Sequence, residues 1–400
     1  MSKRVAVPYK DVKLRIVGPY ADFYAHRIQR LDIPSTLPNT TINELGNPQH
    51  AGIITDIPEV SATFQAFDVS HKIFAILTGS DVDSYPVDGV DVSNLDYVDL
   101  IGYIRQADVA EMLKCIHAKY MRITDFTFTY TVDGESTEEY SCAGSEKRYL
   151  ANDVVVDSGY LDVNGQLSLN YDPNQLKNSN YLLSFIADGE WKEETTFAEL
   201  ASDKYYVSGQ TVTLSGGDAS VWALAVYHTQ SGVLAWTNIS DSSVPAAIRG
   251  KNIPVTIGVE HMYRVQSVTI RGTFPNTKVM EMGNTSIVGY VVDPPDVSGD
   301  ITVLDTDNEI VALLTTGTIT DADGYGEYGV DEYEERTLAL TVQLRDPADN
   351  TTAKKTIKIP YMRITSDGIT SNVGGQLTQT FSFMSNDAQC VVYSGGVPAS

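Results

Sequence analysis

The side chains that could do chemistry are few and scattered. Asp321-Ala322-Asp323-Gly324 resembles the opening of a calcium loop, where alternating carboxylates and a turn-forming glycine wrap a hard cation. The full ligand pattern is not completed, and a solvated turn is the expectation. The histidines His26, His50, His71, His117, His228 and His261 form no His-x-His or His-x-x-x-His pair and share no motif with a cysteine or a serine elbow. Glu138-Glu139 and Glu193-Glu194 place carboxyls side by side, whereas glycosidic acid/base work needs them opposed across a cleft. Gly216-Gly217 is followed by neither lysine nor a helical pattern, so it reads as a hairpin turn and not a phosphate loop. Cys115, Cys142 and Cys390 are too few and too irregular for a disulfide framework or a zinc site. The expectation is a chain with no catalytic, cofactor-binding or metal-binding residues, and not an enzyme.

Composition points the same way. Four hundred residues exceed one ordinary core and suit two or three domains. Hydrophobic residues make up 42%, charged residues 20%, and there are 23 tyrosines, as in a folded, strand-rich chain. The net charge of −24 repels phosphate, and the aromatic residues interleave with acids rather than bases, which excludes tight nucleic-acid binding. Lys3, Arg4 and Lys10 have no apolar run behind them, and no stretch has the length of a bilayer span. Folding in a cytosol is expected, where the sequons at Asn39, Asn238, Asn284 and Asn350 carry no glycan.

The strongest signal is an internal repeat. Arg27-Ile28-Gln29, Thr36-Leu37-Pro38-Asn39-Thr40 and Glu44-Leu45-Gly46-Asn47 return in register as Arg264-Val265-Gln266, Thr273-Phe274-Pro275-Asn276-Thr277 and Glu281-Met282-Gly283-Asn284. The same register carries Pro58 onto Pro295 and Leu77-Thr78 onto Leu314-Thr315. A second block repeats Tyr120-Met121-Arg122-Ile123-Thr124 as Tyr361-Met362-Arg363-Ile364-Thr365. A whole domain is therefore duplicated, and the expected division is repeat one over 1–150, an inserted small β domain over 151–246, and repeat two over 247–400.

Each repeat opens on alternating segments, Val12 to Val17 and Ile28 to Ile33 in the first, as half-buried strands require. Gly46-Asn47 and Gly283-Asn284 are turn chemistry, and Pro58 and Pro295 split the strands that follow, because proline cannot donate to a ladder. Ser70 to Thr78 and Asp307 to Thr315 predict one short helix each, capped by Ser70 or Asp307 and closed near Gly79 or Gly317. Ala110 to Tyr120 has a helical look alone, but its counterpart Ala353 to Tyr361 alternates, so both are expected as strands. Asp133-Gly134 predicts a two-residue hairpin turn. The fold class is all-β: two tandem sandwich or open-barrel domains with one short helix each, plus a small all-β insert.

These residues resemble the major tail tube proteins of long-tailed phages and tailed archaeal viruses. The resemblance rests on Glu44 to Ser61, on Phe67-Asp68-Val69-Ser70 entering a helix, on Ile248-Arg249-Gly250-Lys251 and on the Val132-Asp133-Gly134 hairpin, and it spans both repeats but not the insert. It implies a tube domain whose inner sheet continues into its neighbours' sheets, which removes exposed edges. Six domains make such a ring, so three two-domain chains would suffice, as a homotrimer whose rings stack. The resemblance further implies a virion tail assembled in host cytoplasm, with the insert on the outer wall. The partners it implies are the tape measure, tail terminator and distal tail or baseplate proteins, with double-stranded DNA passing without specific binding and no membrane contact. The acidic loops with Asp81, Asp83, Asp88 and Asp91, and with Asp321, Asp323, Glu327, Asp331 and Glu332, would line the lumen or join rings, or stand as solvated loops. Competing readings are another ring of a tail-like machine, such as a baseplate hub, tail terminator or secretion tube, and a carbohydrate- or receptor-binding protein using Trp191, Trp222 and Trp236 of the insert.

Overall fold

The structure is a computed structural model. It describes residues 12–19, 21–43, 50–55, 57–67, 70–79, 97–105, 112–134, 136–144, 146–174, 180–187, 190–195, 204–217, 219, 221–229, 248–282, 289–304, 309–316, 336–371 and 377–396. Among the described residues the chain is all-β with two short α-helices and a 3-10 turn at Gly250–Asn252. Strands β1 (Val12–Gly18), β2 (Ala21–Ala25), β3 (Ile28–Asp32), β4 (Ser35–Thr36), β5 (Asn39–Asn43), β6 (His50–Thr55) and β7 (Glu59–Ala66) lead to α1 (Lys72–Leu77). Then come β8 (Val98–Arg105), β9 (Met112–Thr131), β10 (Thr137–Gly144) and β11 (Glu146–Leu150). The middle of the chain holds β12 (Val154–Tyr160), β13 (Gln166–Ser168), β14 (Leu182–Ala187), β15 (Glu190–Trp191), β16 (Glu193–Glu194), β17 (Lys204–Ser208), β18 (Thr211–Leu214) and β19 (Trp222–His228). The last part runs β20 (Val255–Ile257), β21 (Glu260–Met262), β22 (Val265–Thr273), β23 (Asn276–Val279), β24 (Gly289–Val292), β25 (Asp296–Val303), α2 (Glu309–Thr316), β26 (Leu338–Arg345), β27 (Ala353–Thr370), β28 (Thr378–Ser385) and β29 (Val391–Tyr393).

Contacts gather the chain into two compact units, one of Met1–Ala25, Val98–Tyr120 and Glu146–Ser243, the other of His26–Tyr97, Met121–Ser145 and Val244–Ser400. Boundaries in space thus cut across the sequence segments 1–150, 151–246 and 247–400, because β9 is long enough for its two halves to belong to different units. In the first unit β1 lies between β2 and β8, and β11 pairs with the early half of β9. Two four-stranded sheets, β12-β19-β14-β15 and β13-β18-β17-β16, complete it. Their apolar faces form one core with Val17, Ile101, Tyr103 and Cys115, including Phe185, Tyr205, Val212 and Tyr227. Arg15 is buried there, paired with Asp22 and donating from Nη1 to the Val156 carbonyl at 2.5 Å.

In the second unit β3, β7, β10 and the later half of β9 of repeat one pair as β22, β25, β28 and the later half of β27 of repeat two do. Tyr140 faces Phe64 across β10 and β7 as Phe381 faces Ile301 across β28 and β25. The same one-residue bulge falls between Ser141 and Cys142 opposite β9 and between Ile364 and Ser366 opposite β28. Arg27 and Arg264 both take a left-handed backbone, φ 53° and 61°, and each carbonyl accepts from the side chain of the glutamine two residues on, at 3.1 Å. Of the strand expected over 110–120, residues 112–120 form the early part of β9 and residues 110 and 111 lie outside the described residues, and the strand expected over 353–361 is the early part of β27.

Two local expectations are corrected. The N-cap of α1 is His71, without a side-chain cap bond; Ser70 stands one residue earlier, where its Oγ accepts from the Lys72 N–H at 3.1 Å. Gly79, at φ 73°, does follow the helix, whereas Asp307 and Gly317 lie outside the described residues. The hairpin at Asp133-Gly134 is wider than two residues, since β9–β10 pairing stops at Thr129 and Thr137. On the opposite edge of β9, Tyr130 and Thr131 pair with Val268 and Ser267 of β22, and the Val132 N–H donates to the Gln266 carbonyl at 2.9 Å.

Candidate functional site: a continuous sheet with a hydroxyl face and two edges

Repeat one contributes β3, β7, β10 and the later half of β9 in that lateral order, and repeat two contributes β22, β25, β28 and the later half of β27. The two sets join edge to edge, because β22 pairs antiparallel with β9 from Thr273–Asp125 through Ile270–Phe128 to Ser267–Thr131. The seam depends on a close approach at Gly272, where a Cβ would stand 2.0 Å from Cε1 of Phe126. Only glycine fits there.

Side chains alternate across a strand, so the sheet has two unlike faces. One is apolar. On it the Phe64 and Tyr140 rings lie 5.4 Å apart, Phe74 of α1 stands edge-on to Phe126 and Phe128 at 5.1 and 5.6 Å, and Phe274 sits 6.0 Å from Phe126. A charged pair is sealed under this face. Lys355 Nζ donates to Glu138 Oε1 at 2.6 Å with both side chains essentially inaccessible, and Tyr140 and Tyr130 hydroxyls donate to Glu138 at 2.7 and 3.1 Å. The Lys355 ammonium also lies 4.6 Å from the centre of the Phe128 ring. Burial, then the nearby Glu138 carboxylate, pushes the Tyr130 hydroxyl well above its ordinary range. The thiols of Cys142 and Cys390, and of Cys115 in the first unit, are pushed up to about 12 by burial and are inert at neutral pH.

The opposite face is carpeted with hydroxyls. Thr127, Thr129 and Thr131 of β9 stand opposite Arg271, Thr269 and Ser267 of β22, with Ser298 and Thr302 of β25 beyond. Across these strands Thr302 and Thr380 hydroxyls are 3.2 Å apart, Ser382 donates to Asp300 at 2.9 Å, and Thr63 and Ser141 lie 3.4 Å apart. Its acids include Asp32, Asp125, Glu139 and Asp300, and Arg271 is neutralised by Asp300 at 2.9 Å. Arg30 on β3 and Arg363 on β27 share this face at the two ends of the run, so among the described residues it gathers no cluster of free cations for phosphate.

The run ends on β3 at one side and on residues 363–370 of β27 at the other. Among the described residues, β3 pairs only with β7, and residues 363–370 of β27 pair only with β28. Both edges expose apolar side chains, Leu37 at 58% and Ile369 at 66%. The positions that correspond to them by the repeat, Phe274 and Phe128, are 1% and 0% exposed, since they lie at the filled seam.

Of the residues singled out in the sequence, Pro58 precedes β7 and Pro295 precedes β25, at equivalent breaks. Gly46, Asn47, Gly283 and Asn284 lie outside the described residues, as do Asp81, Asp83, Asp88, Asp91, Asp321, Asp323, Glu327, Asp331 and Glu332. Trp222 is half-buried, 5.0 Å from Tyr160, and Trp191 is 65% exposed on β15; Trp236 is outside the described residues. His117 and His228 sit 2.7 and 2.9 Å from Asp99 and Asp153, pairings no short motif announces. Among the described residues no helix is long and apolar enough to cross a membrane. No family model matches the chain, and no curated protein matches it in sequence.

Proposed function

We propose that this chain is a structural subunit of a tail-tube-like assembly, three copies of which close their sheets into a pseudo-sixfold ring, with rings stacking into a hollow conduit for double-stranded DNA. The observation that carries this reading is the seam between β9 and β22: two copies of one domain are already joined edge to edge in a single sheet. A sheet extended in this way ends in the same two kinds of edge that it joins internally, and closure into a ring is the arrangement that leaves neither exposed. The hydroxyl face then lines the channel, where its threonines and serines hydrate the wall and its acids keep phosphate from settling. The helix α1 packs on the other, apolar face and belongs outside the wall. Tape measure, tail terminator and distal tail or baseplate proteins are the partners of such a tube, and a virion tail assembled in host cytoplasm is its place.

Light scattering after size exclusion, with negative-stain microscopy of the concentrated protein, tests this. Trimeric rings or hollow filaments are expected. A monodisperse single chain at all concentrations would sink the reading.

A further inference from the structure

Three buried cations of this chain each have a carboxylate: Arg15 is paired with Asp22, Lys119 with Glu146 and Lys355 with Glu138. A fourth, Arg122 of β9, has none among the described residues. It is 8% exposed, and its Nε–H is buried without an acceptor. A guanidinium cannot shed its charge by losing a proton, so burial leaves it in need of an anion. The face of Tyr97, 5.7 Å from the guanidinium carbon, offsets only part of that charge. A second unmatched donor stands beside the same ring. Tyr290 of β24 lies 6.4 Å from Tyr97, centre to centre, and its hydroxyl is buried with no partner. The β23–β24 hairpin of repeat two brings it there by lying on repeat one. In that hairpin Asn276 donates to the Ile123 carbonyl at 3.3 Å, and Lys278, directly opposite Tyr290, is bonded to Glu59. Burial raises the Tyr290 hydroxyl above its ordinary range, Tyr97 and Glu59 add to the rise and Arg122 opposes it, so at neutral pH the hydroxyl keeps its proton and can donate. We infer that the Arg122 guanidinium and the Tyr290 hydroxyl together bind one carboxylate.

The ligand class follows from charge and shape. Arg122 supplies one positive charge, Lys278 and Glu59 cancel each other, and a chain of net charge −24 has no surplus to hold a divalent phosphate. A carboxylate carries one charge, its two oxygens match the guanidinium fork, and a further lone pair remains for the phenol. The Tyr97 ring that borders the guanidinium is 37% exposed, so the ligand arrives from solvent. It is a free carboxylate or the acidic side chain of a second copy of this chain, and the recognition is the same for both. The site stands whether or not the chain forms rings.

Thermal unfolding of the whole chain, followed by circular dichroism in sodium acetate and in sodium chloride of equal ionic strength, tests the site. The midpoint should rise with acetate and saturate, and the Arg122→Met chain should show no such rise. Tyr290→Phe deletes a single oxygen and should need about tenfold more acetate for the same rise, which keeps the test open if Arg122→Met fails to fold. Magnetisation transfer from the protein to the acetate methyl protons should be seen with the unsubstituted chain and be lost in Arg122→Met. A midpoint that ignores acetate but rises with protein concentration, again only while Arg122 is present, supports the site and assigns the carboxylate to a second copy. Two results overturn it. One is an acetate response in Arg122→Met, or in Tyr290→Phe, equal to that of the unsubstituted chain. The other is an unsubstituted chain indifferent to both acetate and protein concentration, which leaves water to satisfy the two donors.

Discussion

Lys355 and Glu138 are 217 positions apart in the chain, yet among the described residues they form the one ion pair sealed beneath the apolar face of the joined sheet. A buried pair of this kind is tolerated only while both members are present, because either charge left alone in a low-dielectric site is uncompensated. Lys355→Met should therefore destabilise the second unit by about 3–5 kcal/mol, while Lys355→Met with Glu138→Leu recovers most of that loss; urea denaturation of the two variants checks both statements. Gly272→Ala is expected to cost about 1–3 kcal/mol, since the added methyl meets the Phe126 ring and must force the seam apart. The buried thiols give a pH dependence whose sign is fixed by their protons. Each has its folded value raised from 9.0 to about 12 by burial, so the stability it contributes is fully present below pH 9 and is lost as pH rises toward 12. Stability should fall by about 1.4 kcal/mol per pH unit per thiol above pH 9. Cys142→Ala and Cys390→Ala should each flatten that slope in urea titrations at pH 8 to 11.

At the scale of elements, strands such as β7, β10 and β25 were legible because they carry the two-residue alternation of a half-buried ribbon, and repetition resolved a doubtful one, whereas β1, β8 and β19 are buried on both faces and short strands such as β2 and β13 carry no such signal. The stretch 112–120 has helical spacing by itself, and its alternating counterpart over 353–361 decided for a strand, which is what β9 and β27 are. The helix α1 was legible from its apolar cluster, but not its first residue, since serine caps from either of two adjacent positions. Phe74→Ala on this helix should cost about 3–5 kcal/mol by thermal or urea unfolding, because it empties the space over Phe126 and Phe128. What stayed illegible is long-range pairing. Nothing local marks Val265 to Thr273 as the partner of Asp125 to Thr131, and Asp133-Gly134 advertises a tighter hairpin than the one formed, whose pairing stops at Thr129 and Thr137. The Glu138-Glu139 doublet hid its meaning for the same reason: period two sends one carboxyl to the hydroxyl face and the other to a lysine in the other repeat.

For the whole molecule, charge and sheet chemistry make one statement about nucleic acid. A net charge of −24 keeps duplex DNA at a distance, and among the described residues the cations of the hydroxyl face include Arg271, paired with Asp300, and Arg30 and Arg363 on strands at opposite ends of the run, with no cluster to trade counterions. A conduit needs that indifference, because every phosphate held by a lysine would have to be released again as the duplex advances. The unsubstituted chain should therefore leave the anisotropy of a labelled duplex unchanged even at low salt. Thr127→Lys, Thr129→Lys and Thr269→Lys together add three cations to one face of adjacent strands β9 and β22. That variant should bind duplex with an affinity falling steeply with salt, the logarithmic slope steepening by about 0.9 for each lysine that reaches a phosphate. Assembled with this face inward, the lysines would line the channel and be reachable only through its ends, and binding per chain should be weaker for hollow filaments than for single chains. Equal binding by both forms would place the hydroxyl face on the outside of the wall and reverse its assignment as the lumen.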